Sequence, residues 1–309
     1  MQDTPLFSFV MPAYKAEFIN ESIDSILGQT CHDLELIIVD DCSPEPVGEI
    51  VKGYTDRRLA YYRNEQNLGG KDLVAQWNKC LEYAKGEWVI LATDDDIYAP
   101  TFLETFMRQH EDHPEADLFR ARIGLIDENG RITDIERCQE EYVSPVHFFY
   151  EINTGMKGGV PQHIFRREKL VRNGGFVSFP KAWASDDATA IMLSGNGVLF
   201  SQKPLVFFRY SGQNISTKGR YAEEKVIARI RYSNWVMDFV PENTSNDAVE
   251  KYYVEMIQKR LLTILKVNLL TTTKMVPYVK RVVMMSSWLK QLPMFGTKDK
   301  LSILVRSLF

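Results

Sequence analysis

Three carboxylate clusters stand out in this 309-residue chain: Asp40-Asp41, Asp94-Asp95-Asp96 and Asp186-Asp187. The first two each follow an apolar run, 34–39 and 88–92, and so fall where a buried strand would end. Carboxylates crowded there repel one another, and a counter-cation is expected nearby. Hard oxygen ligands with open positions suit Mg²⁺ or Mn²⁺ shared with the phosphates of a substrate. Each cluster also has a simpler reading. Asp94-Asp95-Asp96 can be an acidic turn capping the next helix, and Asp40-Asp41 a helix-initiating turn before Ser43-Pro44. Both on one sheet edge are harder to dismiss, since their like charges destabilise the fold without a cation or hydrogen-bond donors. Asp186-Asp187 follows Trp183-Ala184-Ser185. Ser185 or Asp186 can cap a helix there; a carboxylate beside Trp183 can equally be a general base in a partly apolar wall.

The elements that must position these groups alternate. Apolar runs at 6–11, 34–39, 59–63 and 88–92 read as strands, and amphipathic stretches at 19–29, 47–54 and 71–85 as helices. Near-continuously apolar strands in a β-α-β-α-β-α-β rhythm imply a parallel sheet covered on both faces. Ligands of such sheets sit at the carboxyl ends of the strands. There the sequence places Pro12-Ala13-Tyr14, Asp40-Asp41 and Thr93-Asp94-Asp95-Asp96 on one edge. Beyond residue 100 the rhythm loosens. We read a helix at 101–110, a strand pair or long strand at 117–127, a glycine-rich loop at 155–161 and a short strand at 162–166. A helix at 187–194 and short strands at 197–201 and 205–210 follow.

Composition is that of a globular protein, 45% hydrophobic and 25% charged, which excludes disordered and collagen-like classes. Four scattered cysteines form no CxxC pair, and the five histidines show no ligand spacing, with His163 read as structural. The N-terminal residues lack a signal-peptide pattern and no apolar run approaches a membrane span, so a cytoplasmic location is expected.

The motifs together carry a resemblance. Phe9-Val10-Met11-Pro12-Ala13-Tyr14, Ile38-Val39-Asp40-Asp41-Cys42-Ser43, Asn67-Leu68-Gly69-Gly70 and Leu91-Ala92-Thr93-Asp94-Asp95-Asp96-Ile97 have the order and spacing of family 2 glycosyltransferases. Gly174-Gly175-Phe176, Ser185-Asp186-Asp187 and Phe208-Arg209-Tyr210 are similar to the family's later landmarks. The resemblance implies an inverting, nucleotide-sugar-dependent enzyme of the GT-A fold, an α/β architecture with a Rossmann-like, mostly parallel central sheet and helices on both faces. It implies that Pro12, Ala13, Tyr14 and Asp41 hold the nucleobase and ribose, with Asn67, Gly69 and Lys71 in the same nucleotide-sugar site. Asp94 would contact the ribose or diphosphate, Asp95 would bind Mn²⁺ or Mg²⁺, and Asp187 would be the catalytic base with Asp186 its acidic companion. A UDP-sugar donor, a glycan or lipid-linked acceptor and a role in bacterial surface polysaccharide assembly are implied in the same way. Two departures are visible. Thr93 replaces the first Asp of the common motif, and Arg209-Tyr210-Ser211-Gly212 lacks a nearby His that many members carry, which leaves a second metal ligand open.

Two rivals belong to other classes. A nicotinamide-dependent enzyme is disfavoured because Pro12-Ala13-Tyr14-Lys15 replaces a GxGxxG turn. A binding or scaffold protein that kept the fold is opposed, though not excluded, by the three acidic clusters. The resemblance covers about 1–216; the expected catalytic domain is 1–217, which leaves 218–309 as a helical basic C-terminal extension. The net charge of −4 divides into +9 over 251–309 and −13 over the first 250 residues. Met256, Leu261, Leu265 and Leu269 recur there at helical spacing. Basic and amphipathic together read as peripheral contact with the anionic inner face of the cell membrane. The alternative is a set of helices packed on the body; nucleic acid is not an expected partner, since no known module accompanies the charge.

Overall fold

The computed structural model describes residues 4–156, 158–210, 221–245, 247–273 and 278–306. It opens on the expected alternation: β1 (Phe7–Ala13), α1 (Ile19–Leu27), β2 (Leu34–Asp40), α2 (Val47–Lys52), β3 (Leu59–Arg63), α3 (Leu73–Leu81) and β4 (Trp88–Leu91). There follow β5 (Ile97–Tyr98), α4 (Phe102–Asp112), β6 (Leu118–Ile126), β7 (Ile132–Ile135), β8 (Tyr142–Val143) and α5 (Pro145–Thr154). Then come β9 (His163–Arg166), α6 (Arg167–Arg172), α7 (Ser185–Leu193) and β10 (Val198–Arg209). The helices α8 (Ala222–Glu242), α9 (Ala248–Thr273), α10 (Tyr278–Lys290) and α11 (Thr297–Arg306) close the chain.

The strands form one sheet in the order β3-β2-β1-β4-β9-β6-β10-β5, with β7 added to β6 and β8 to β10. β3, β2, β1 and β4 are mutually parallel, so their carboxyl ends share an edge as expected. Past β4 the sheet is mixed: β9 runs antiparallel to β4 and β6, while β10 is parallel to β6. Strand residues alternate between two cores. Phe9, Met11, Leu36 and Ile38 pack with Ile19, Ile23 and Ile26 of α1 and with Phe102 and Phe106 of α4. Val10, Ile37, Val39 and Leu91 face the other way, onto Trp77 of α3, Phe148 of α5 and Ile191 of α7. Burial on both faces explains why these strands read as unbroken apolar runs.

Several boundaries differ from the sequence reading. Of the two readings of 117–127 the long strand holds, as β6 over Leu118–Ile126, whereas the two short strands expected at 197–201 and 205–210 are a single strand, β10. Its pairing with β6 slips on either side of Pro204, which has no N–H to give to a ladder. Helix α5 was not anticipated. Its sequence, Pro-Val-His-Phe-Phe-Tyr-Glu-Ile-Asn-Thr, lacks a clean apolar period, although Pro145 in its first turn is a start signal.

The C-terminal helices are built into this body. The 217/218 division lies outside the described residues. On its far side, Ala228, Tyr232, Val236 and Val240 of α8 and Ile257 and Leu261 of α9 belong to the core that covers the sheet. Leu265 and Leu269 of α9 join Met285, Trp288, Leu292 and Ile303 in a separate cluster. The apolar stripe expected to lie down on a membrane is therefore turned inward, because α5, α8 and α10 supply the apolar surface it covers. Trp288 is also buried.

Candidate active site

At the strand ends, most of the carboxylate crowding is relieved by protein donors. Asp94 Oδ2 accepts the backbone N–H of Tyr14 at 2.8 Å and of Lys15 at 2.7 Å. These bonds fix the loop that leaves β1, so Asp94 shapes the Pro12-Ala13-Tyr14 turn from below. Burial and the neighbouring Asp95 charge push its pKa up to about 6, against the pull of those two amides. Asp96 is buried completely. It accepts the Thr93 hydroxyl and, at 2.8 Å, the Arg209 N–H, and it has a pKa well above the usual carboxylate range because of that burial. Asp96 is thus a structural member of the triplet.

Asp41 is spent in the same way. Its carboxylate accepts Asn64 Nδ2 at 2.8 Å and the N–H groups of Leu68 and Gly69 at 2.8 and 2.7 Å. It holds the 64–70 loop closed, and a Cβ on Gly69 would approach its Oδ2 to 3.0 Å. Asn67 completes the turn by accepting the Gly70 N–H, while Lys71 is exposed beside it. Asp40 pairs with Arg63 and accepts from Tyr61 and from the Ser43 N–H. It caps the turn at Ser43, the simpler of its two readings.

Asp95 is different. Among the described residues its carboxylate has no hydrogen-bond donor and meets only the Lys15 ammonium, at 3.6 Å. No cluster of three His, Cys, Asp or Glu able to enclose a metal occurs among the described residues. A single uncommitted carboxylate fits a cation that takes its remaining ligands from phosphates and water, as Mg²⁺ commonly does. Lys15 was not singled out in the sequence; its place beside Asp95 depends on the Asp94 bonds to the loop that carries it.

Asp186 and Asp187 stand in the first turn of α7. Neither the Ser185 nor the Asp186 capping role is realised: the cap is Ala184, in a left-handed conformation at φ 63°, with no side-chain cap bond. Ser185 Oγ instead accepts the Phe179 N–H. The carboxylates reach a cavity of about 350 Å³ lined by Trp77, Gly158, Trp183, Phe208, Tyr210 and Arg229, among others. Each keeps some surface open to that cavity yet is packed round by protein, and this desolvation raises both pKa values. Asp186 is pushed up to about 7, first by burial and then by the Asp187 charge. Arg229 and Arg120 pull Asp187 back down. Gly158 is required by close approach, since a Cβ there would come within 2.8 Å of Asp187 Oδ1.

Two contacts tie the Asp186–Asp187 cavity to the strand-end edge. Phe208 and Tyr210 line the cavity, while Arg209 between them donates to the Asp95 carbonyl at 3.0 Å, pairs with Glu21 and stacks on Phe18. Lys181 Nζ lies 3.5 Å from the Gly70 carbonyl and joins the 180–187 segment to the Asp41 loop. Arg229 was missed altogether in the sequence, because nothing local marks α8 as a wall of this cavity.

An open α/β sheet with acidic strand ends and a carboxylate pair in an adjoining cavity places a ligand site at the carboxyl edge of the sheet. Comparison with known proteins makes this specific. The family model for glycosyl transferase family 2 matches residues 8–173. An uncharacterized glycosyltransferase of Methanocaldococcus jannaschii is 30% identical over 196 residues, spanning 60% of this chain and 67% of that protein. TuaG of Bacillus subtilis, named for teichuronic acid biosynthesis, is 37% identical over 103 residues, 32% of this chain and 40% of its own. The chain belongs to glycosyl transferase family 2 and is a glycosyltransferase. Its fold is that of S. aureus TarS in complex with UDP-GlcNAc, with a TM-score of 0.70 at 19% identity, covering 93% of this chain and 81% of that one. The mannosyltransferase PcManGT of Pyrobaculum calidifontis, in complex with GDP-Man and Mn²⁺, aligns with a TM-score of 0.56 at 16% identity over 99% of this chain and 86% of its own. The GT-A architecture with a helical C-terminal region is thereby established, and the likeness to TarS runs into the helices beyond residue 217.

Proposed function

We propose that the chain transfers a sugar from a nucleotide-sugar, a UDP-sugar, to an acceptor hydroxyl in one inverting displacement, within surface polysaccharide assembly. The observation that carries this reading is the pair Asp186 and Asp187: uncapped, raised in pKa and open to a cavity whose β10 wall also anchors Asp95. Complexes of TarS with UDP and UDP-GlcNAc support the donor class, and relatives named for colanic and teichuronic acid biosynthesis support the setting.

In this reading the nucleotide lies along the strand ends, over the Pro12-Ala13-Tyr14 turn that Asp94 holds and beside the Asp41 loop with Asn67, Gly69 and Lys71. A divalent cation, Mn²⁺ or Mg²⁺, would be held by Asp95 and would supply positive charge to the departing diphosphate. Lys15 adds its own charge at the same point. Across the sugar, Asp187 accepts the proton of the acceptor hydroxyl as attack proceeds. Base and leaving group on opposite faces give inversion. Asp186 raises the proton affinity of the pair, and burial holds the base above the ordinary carboxylate range.

Asp187→Asn is expected to abolish transfer while leaving UDP affinity nearly intact, because the base acts only in the transition state. Asp186→Asn costs less. Asp95→Ala should remove the Mn²⁺-dependent part of UDP binding in calorimetric titration. If Asp187→Asn keeps more than about a tenth of kcat, a loss under roughly 1.4 kcal/mol, the base assignment fails.

A further inference from the structure

Arg229 lines the cavity that holds two carboxylates, with an Nε that meets no acceptor among the described residues. Among the described residues its guanidinium makes no ion pair within 4.0 Å and no hydrogen bond, and its Nε is sealed from water without an acceptor. The residue as a whole is half-buried, but a donor atom sealed without an acceptor carries a desolvation cost that an exposed one escapes. The surroundings hold it there. Ala228, Tyr232 and Val236 of α8 are buried in the core, and Arg229, next to them on the helix, stacks loosely on Tyr232 and lines the cavity. The Asp187 carboxylate is near enough to feel its charge but is not bonded to it.

Other cations flank the same cavity. Lys225, one turn earlier on α8, lies over the Trp183 ring at 4.4 Å, and Lys181 lines the wall. Arg229 and Lys181 thus line the same cavity as Asp186 and Asp187, and Arg229 and Arg120 act on the Asp187 charge. Trp183, Phe208 and Tyr210 add flat apolar surface of the kind that receives a sugar ring. The nucleotide end of the donor is assigned to the other side, at Tyr14 and Asp95.

We propose that Arg229 is an acceptor-binding residue, and that the acceptor is an anionic sugar whose phosphate or carboxylate its guanidinium takes while Asp187 faces the reacting hydroxyl. A planar guanidinium matches both anions through paired N–H groups. The inference rests on the nucleotide-sugar reading above, and it adds the chemical class of the acceptor.

The test is calorimetric titration of the full-length protein, saturated with UDP, by glucose, glucose 6-phosphate and glucuronate. At least one anionic sugar is expected to bind about tenfold tighter than glucose. In Arg229→Gln that preference falls below about threefold, and in Arg229→Lys it is partly restored. Thermal melting of both variants checks that they remain folded, and the lysine variant carries the test if the glutamine variant does not. The phosphate and carboxylate arms tell which anion is preferred. Equal binding of all three sugars by the wild type, or an undiminished preference in Arg229→Gln and Arg229→Lys, overturns the proposal while UDP binding leaves the donor reading standing. A wild type that does not bind UDP removes both.

Discussion

Asp186 and Asp187 occupy consecutive positions on one helical turn, and their mutual repulsion makes the proton on the pair harder to remove. The base must be deprotonated to act, so kcat/KM is expected to rise with pH through an ionisation above the ordinary carboxylate range, and to level off beyond it. The sign of a change at Asp186 follows. Asp186→Asn removes a negative charge beside Asp187, Asp187 ionises more readily, and the acid limb of the profile moves to lower pH. A limb that stays in place or moves upward in the variant would show that the two carboxylates do not titrate as a pair. The same logic separates Asp95 from its neighbours. Asp94 Oδ2 and Asp96 Oδ1 hold backbone N–H groups, whereas among the described residues the Asp95 carboxylate accepts no hydrogen bond and meets only the Lys15 ammonium.

At the scale of elements, α8 and the first half of α9 complete the catalytic body. A chain ending at 217 lacks Ala228, Tyr232, Val236, Val240, Ile257 and Leu261, which cover one face of the sheet through α5 and α7. The larger of these side chains contribute about 1.5–3 kcal/mol each on burial, together comparable to the whole stability of roughly 5–15 kcal/mol of a typical domain. Such a chain is expected to lose cooperative thermal unfolding, whereas one ending at 273 keeps these contacts and a melting transition. A sharp transition in the shorter chain would show that α8 is dispensable for the fold. The strands β1 to β4 and the acidic strand ends were legible in the sequence because an apolar run followed by carboxylates is a local pattern. β10 was divided because Ser201-Gln202-Lys203-Pro204 breaks its apolar run, while pairing with β6 carries the strand across. The place of Arg229 was illegible for a deeper reason: it depends on where α8 docks, and that is decided by contacts far away in sequence.

For the whole molecule, the charge asymmetry remains on the surface after folding although the apolar stripe does not. Lys251, Lys259, Arg260, Lys290, Lys298 and Arg306 are exposed, whereas Leu261, Leu265, Leu269 and Trp288 are buried. No helix among the described residues is long and apolar enough to cross a membrane. Contact with an anionic bilayer would therefore draw first on charge, at about 1 kcal/mol for each Lys or Arg near the surface, with exposed side chains such as Val267, Val283 and Leu301, and not the buried stripe, left to insert. Screening makes such contact sensitive to salt, since the Debye length falls from about 10 Å at 0.1 M to about 3 Å at 1 M. The full-length protein is expected to sediment with phosphatidylglycerol-containing vesicles at low ionic strength, to be released as salt rises, and to ignore pure phosphatidylcholine. Replacing Lys259, Arg260 and Lys298 by Glu should weaken sedimentation without lowering the melting temperature, because these side chains are exposed. Attachment that survives high salt would mean that apolar groups insert after all. Indifference to lipid charge, or no sedimentation at all, would assign the basic face to a partner other than the bilayer.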